Sequence, residues 1–130
     1  MMLRILLVDD NRRFLAAVQR FLTRESFEVV GQALSGKAAL EQVARLKPDL
    51  VLMDLAMPQM NGLEATRLIK AQSNPPRVVM LTLHDSPAYA SEAKAAGADG
   101  FIAKSDLGSQ LLPMIGALFA VQDISLSSVA

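Results

Sequence analysis

Five polar residues stand immediately after short apolar runs, and together they could do phosphoryl chemistry. Asp9 and Asp10 follow Leu3–Val8, Asp54 follows Leu50–Met53, Thr82 follows Val78–Leu81, and Lys104 follows Gly100–Ala103. Three carboxylates gathered at one place repel one another, by about 4 kcal/mol for a unit pair at roughly 4 Å and an effective dielectric near ~20. A cation must sit among them, or some must take up protons. The chain has no cysteine, and its single histidine, His84, stands outside these positions. The donor set is therefore all oxygen, which selects a hard cation such as Mg²⁺. Magnesium takes only one or two carboxylates and leaves positions open to phosphate oxygens. A carboxylate beside it can attack phosphorus and become an aspartyl phosphate, with the metal and Lys104 offsetting charge on the transferring group. Asp54, followed by Leu55-Ala56-Met57-Pro58, is the best nucleophile candidate.

Such a cluster needs a scaffold that brings the ends of several strands to one rim. Leu3–Val8, Phe27–Ala33, Leu50–Met53, Val78–Leu81 and Gly100–Ala103 read as five strands, separated by segments with helical spacing. In the first of those segments Phe14, Leu15, Val18, Phe21 and Leu22 form one apolar stripe, with Arg12, Arg13, Gln19, Arg20 and Arg24 mostly on the wet side. Ser35 can cap the second helix, and Lys47-Pro48 ends it. Asn61-Gly62 opens the third helix, and Asn74-Pro75-Pro76 closes the connection to the fourth strand. Ser86-Pro87 reads as an N-cap with proline at the first helical position, and Gly97 as the cap at the far end. Strand–helix alternation implies right-handed crossovers and a parallel sheet covered on both faces. The first, third and fourth strands are nearly continuous apolar runs, as central strands should be, while the more polar second fits an edge. In such a sheet, ligands gather beyond the carboxyl ends of the strands.

A length of 130 residues, 52% hydrophobic and 20% charged, suits a single domain with an ample core. Thirteen basic residues offset thirteen acidic ones, so no net field draws nucleic acid or an acidic membrane. With no helix-turn-helix signature either, this chain is not expected to bind DNA itself. The absence of cysteine excludes disulfides and a thiol nucleophile. Leu111–Val121, the most apolar stretch, is broken by Pro113 and Gly116 and is far shorter than the ~20 residues of a membrane span. No secretory signal is legible at the start, and the expected location is cytoplasmic. Residues 1–121 read as the domain, and 122–130 as a tail or the start of a linker to an output domain.

The motifs resemble the receiver domains of two-component response regulators. The matching segments are Val8-Asp9-Asp10, Met53-Asp54-Leu55-Ala56-Met57-Pro58-Gln59-Met60-Asn61-Gly62, Met80-Leu81-Thr82 and Gly97-Ala98-Asp99-Gly100-Phe101-Ile102-Ala103-Lys104. The resemblance implies a doubly wound (βα)5 flavodoxin-like fold with a five-stranded parallel sheet of order 2-1-3-4-5. It implies that Asp54 is the phosphoacceptor, and that Asp10, Asp54 and the backbone carbonyl of Ala56 bind Mg²⁺, with Asp9 acting largely through water. Thr82 would hydrogen-bond the phosphoryl group, Lys104 would pair with it, and Phe101 stands where the family keeps its switch aromatic. A sensor histidine kinase is the implied donor. Ala95-Ala96-Gly97-Ala98-Asp99-Gly100, with no proline after Lys104, looks most like the NarL-type branch, whose receivers usually precede a DNA-binding domain.

Some positions depart from the family's pattern. Ser105 replaces the common proline after Lys104, and Leu83 is bulky where many relatives carry a small residue. Ala56 and His84 occupy positions that modulate dephosphorylation in the family. The helix from Pro87 to Ala96 is mostly alanine with Tyr89 as its one large anchor, so it should be among the looser elements. From Leu107 to Gln122 there is no charge. Leu111, Leu112, Ile115, Leu118 and Phe119 are expected to face the sheet, leaving Met114, Ala117 and Val121 as an apolar strip for a dimer or an output domain. Pro113 should delay or bend that helix.

Other readings fit less well. A haloacid-dehalogenase-type phosphatase needs a second aspartate two residues after the nucleophile, where this chain has Ala56. A flavodoxin-like FMN binder needs a Ser/Thr/Gly-rich loop after the first strand, where this chain has Asp9-Asp10-Asn11. The remaining rival is a degenerate receiver that binds partners unphosphorylated, but such proteins usually lose a key residue and none is missing here.

Overall fold

The computed structural model describes residues 2–83 and 86–119. Five strands, β1 (Arg4–Val8), β2 (Glu28–Ala33), β3 (Leu50–Asp54), β4 (Arg77–Thr82) and β5 (Gly100–Ala103), alternate with five helices. These are α1 (Arg12–Arg24), α2 (Gly36–Leu46), α3 (Gly62–Lys70), α4 (Pro87–Ala95) and α5 (Leu107–Leu118), the last preceded by a 3-10 turn over Lys104–Asp106. All pairings are parallel and the order is β2-β1-β3-β4-β5, as expected. The polar β2 is an edge strand.

Alternation along the buried strands divides the core in two. Leu6, Val8, Val51, Met53, Val78 and Met80 pack beneath α2, α3 and α4. Ile5, Leu7, Leu50, Leu52, Val79 and Leu81 pack beneath α1 and α5. The helix starts follow local chemistry, since a side-chain oxygen accepts an otherwise orphaned backbone N–H. Asn11 accepts from Phe14, Ser35 from Ala38, Asn61 from Glu64 and Ser86 from Ala88. Lys47 ends α2 in the left-handed region (φ 49°), and Gly97 follows the α4 cap with φ 98°.

The last helix departs from expectation. It starts at Leu107, six residues before Pro113, so the proline does not delay it. Pro113 is exposed at the helix surface. Met114, expected outside, packs partly buried into the α1/α5 core. The cause is Gly100: a Cβ there would meet the Met114 sulfur at 2.7 Å, so the bare glycine makes the room that Met114 fills. Leu112, expected inside, is half-buried and stands outside both core clusters. Ala117 is exposed as expected, while Val121 and the 122–130 tail lie outside the described residues. In α4 the only buried residue is Ala93, with Tyr89 partly packed.

Candidate functional site

The carboxyl ends of β1, β3, β4 and β5 meet at one rim. Asp9 directly follows β1 and is 1% exposed, Asp54 is the last residue of β3 and is 5% exposed, and Thr82 ends β4 at 2%. Asp10 is exposed at the mouth. Asp9, Asp10 and Asp54 each offer a carboxylate oxygen lying within 4.8 Å of the others. Lys104, directly after β5, donates to Asp9 Oδ2 at 2.6 Å and ion-pairs with Asp54 Oδ1 at 3.2 Å. All five residues singled out from sequence thus come to this edge of the sheet.

Local structure fixes these groups. The other Asp9 oxygen, Oδ1, accepts the Asn11 N–H at 2.8 Å, so the turn into α1 orients the carboxylate. Leu55 N–H donates to Leu81 O on β4 at 2.8 Å, which holds the end of β3, and the β3–α3 loop folds back so that Gly62 N–H donates to Leu55 O at 2.9 Å. Glycine is required at 62, because a Cβ would lie 2.1 Å from the Asp54 carbonyl oxygen. Ala56 is exposed in that loop. Every described peptide bond is trans, and Ser105 continues directly into the 3-10 turn.

The electrostatics are those of an over-filled acidic pocket. Burial raises the Asp54 carboxyl from its ordinary 3.8 to about 6, Asp9 and Asp10 add to the rise, and Lys104 opposes it. Burial alone would lower the Lys104 ammonium, but Asp9 and Asp54 raise it above its usual value, so it stays charged. One lysine does not balance three carboxylates. The all-oxygen donor set and its residual negative charge fit a hard divalent cation.

Two features were not legible in the sequence. Phe14, assigned to the apolar stripe of α1, also places its ring 4.3 Å from Lys104 Nζ. At the opposite end of the sheet, Asp99 accepts from Lys70 at 2.9 Å, Arg77 at 3.2 Å and the Val78 N–H at 2.8 Å, tying α3, β4 and the turn before β5 together. The family-like Gly97-Ala98-Asp99-Gly100 wording was the available signal for Asp99. Nothing in spacing announced the Phe14 contact.

Phe101 is half-buried on the α4 side of the sheet, in register with Met80. Thr82 is two residues beyond Met80, so strand alternation puts Thr82 and Phe101 on one face. Leu83 is 75% exposed just past Thr82. His84 lies outside the described residues. Among the described residues no helix is long and apolar enough to cross a membrane.

Comparison with known proteins agrees with this site. The family model for the response regulator receiver domain matches residues 5–115. The chain is 37% identical over 103 residues to the transcriptional regulatory protein DegU of Brevibacillus brevis, covering 78% of this chain and 44% of that protein. It is 41% identical over 111 residues to a protein-glutamate methylesterase/protein-glutamine glutaminase of a Nocardioides species, covering 82% and 30%. Among solved structures, the signal receiver domain of the response regulator NarL from Mycobacterium tuberculosis superposes with a TM-score of 0.80 at 33% identity, covering 92% of this chain and 95% of that one. The chain spans less than half the length of these two curated relatives. The chain belongs to the response regulator receiver family, the phosphorelay modules of two-component systems, in its NarL-like branch.

Proposed function

We propose that Asp54 is the phosphoacceptor of a signalling switch, receiving its phosphoryl group from the phosphohistidine of a sensor kinase. In that step an Asp54 carboxylate oxygen forms a bond to phosphorus as the phosphorus–imidazole nitrogen bond breaks. The carrying observation is the convergence of Asp9, Asp10 and Asp54 within 4.8 Å, with Lys104 Nζ between Asp9 and Asp54. Burial and the neighbouring carboxylates raise the Asp54 carboxyl to about 6, and a divalent cation beside it would favour the ionised form that attacks.

Asp10, Asp54 and the backbone carbonyl of Ala56 are the residues that would hold Mg²⁺, with Asp9 acting through water. The ion, when bound, supplies positive charge against the equatorial oxygens of the transferring group. Lys104 pairs with the phosphoryl group from the other side, and Thr82 hydrogen-bonds it. Drawing Thr82 toward the new charge frees space on the face it shares with Phe101, whose ring then moves inward. The lightly packed α4, burying only Ala93, responds to that change. Water then removes the phosphoryl group slowly and resets the switch.

The readout is control of an output domain or partner. Its resemblance to DegU and NarL supports transcription regulation, with DNA contacts made outside this chain. The uncharged outer surface of α5, with Leu112, Pro113 and Ala117, supports contact with that domain or with a second copy. A cytoplasmic site of action follows from the phosphorelay role. A receiver working only unphosphorylated is not favoured, because Asp9, Asp10, Asp54, Thr82 and Lys104 are all present.

The test is incubation with Mg²⁺ and acetyl phosphate followed by intact mass. Wild type gains one phosphoryl group and Asp54→Asn gains none. Equal labelling of both, or of neither, overturns the assignment.

A further inference from the structure

We infer that Phe14 is a positioning residue for Lys104, a role that rests on the reading of Asp54 as phosphoacceptor. The Lys104 ammonium is hemmed in on three sides. Asp9 Oδ2 stands at 2.6 Å, Asp54 Oδ1 at 3.2 Å and the Phe14 ring centroid at 4.3 Å, with the lysine side chain only 10% exposed. Two of these neighbours are anions and the third is the negative face of a π system.

The difference between those neighbours is functional. A third carboxylate would hold the ammonium by a full charge and compete with an incoming phosphoryl group. The ring attracts it through a quadrupole, excludes water from that side and leaves its hydrogen-bond capacity directed at the pocket. The ring is itself held. Phe14 sits in the first turn of α1, its N–H capped by Asn11, and packs against the α1/α5 core. Asp9 orients Asn11 through the backbone N–H at 2.8 Å. One short segment, Asp9 to Phe14, therefore supplies both the carboxylate and the ring that bracket an ammonium 90 residues further along the chain.

The experiment measures the rate of phosphoryl incorporation from acetyl phosphate at saturating Mg²⁺, in wild type and Lys104→Met backgrounds. In wild type, Phe14→Leu keeps an apolar side chain but removes the π face, and the rate falls roughly five- to tenfold. Phe14→Tyr, which keeps the ring, stays within about twofold of wild type. In the Lys104→Met background, Phe14→Leu changes nothing further, because the ring has lost the cation it acts on. An equal slowing by Phe14→Leu in both backgrounds marks a merely structural role and overturns the inference, as does an unchanged rate in wild type. Stepwise fluorination of the ring at position 14 weakens the π face while nearly preserving its shape, and should lower the rate in order even where Phe14→Leu folds poorly. A flat fluorination series overturns the inference. Labelling of Asp54→Asn at the wild-type level would instead defeat the phosphoacceptor reading, which separates the two failures.

Discussion

Lys104 Nζ donates to Asp9 Oδ2 at 2.6 Å across 95 positions of sequence, a shorter contact than the 3.2 Å to Asp54. The lysine thus rests closer to Asp9 than to Asp54, the proposed phosphoacceptor. It lies close enough to Asp54 to follow charge that appears there.

Removing that ammonium should damage chemistry and pocket together. Lys104→Met is expected to slow phosphoryl transfer by about 100-fold, the scale seen when one preorganised donor to a developing charge is lost. It should also push the Asp54 carboxyl still higher, since Lys104 is what lowers it. Stopped-time mass spectrometry reads the first effect, and carboxyl ¹³C titration by NMR reads the second.

The Asp54 shift carries a pH signature. Its folded value, about 6, exceeds the ordinary 3.8, so between those values the folded chain holds a proton that the unfolded chain has lost. For this group stability is therefore highest at low pH and falls as pH rises. A loss on the order of 1 kcal/mol falls between about pH 5 and pH 8. Urea unfolding with chelator at those two values should show the loss in wild type. In Asp54→Asn it should be absent, leaving the variant the more stable at about pH 8.

Gly62→Ala reverses a familiar preference. Alanine in a helix ordinarily gains up to ~1 kcal/mol over glycine. Here its Cβ would sit 2.1 Å from the Asp54 carbonyl oxygen, and backbone must move. The substitution is expected to destabilise by about 1–3 kcal/mol and to reduce labelling by displacing Asp54. Thermal unfolding and phosphoryl incorporation check both.

At the far end of the sheet, burial alone would raise the Asp99 carboxyl. Hydrogen bonds from Val78 N–H, Lys70 and Arg77 instead take it below its ordinary value. Its stabilisation is present above the unfolded value and lost as pH falls through the folded one. Asp99→Asn should cost about 1–2 kcal/mol at neutral pH. The gap to wild type should narrow as pH falls from the ordinary carboxylate value of 3.8 through the lower folded one, as acid-dependent unfolding will show.

Much of this was legible because it is periodic or punctuated. Apolar runs delimited all five strands to within one residue at each end, with Asp54, Thr82 and Arg77 joining strands whose apolar parts had been read. The rim residues were found because each follows such a run directly. The inward turn of Met114 was not, because it depends on Gly100, an absent side chain on a strand fourteen residues away. The Phe14–Lys104 contact was hidden for a related reason: hydrophobic spacing reports that Phe14 faces inward, not which cation it meets there.

The most direct measurement is to locate the phosphoryl group. Borohydride reduces an aspartyl phosphate to homoserine, and peptide mapping then reads the modified position. After treatment with Mg²⁺ and acetyl phosphate, homoserine is expected at position 54 alone, and nowhere when chelator replaces the metal. Homoserine at Asp9 or Asp10, or at 54 equally with and without divalent cation, would contradict the account.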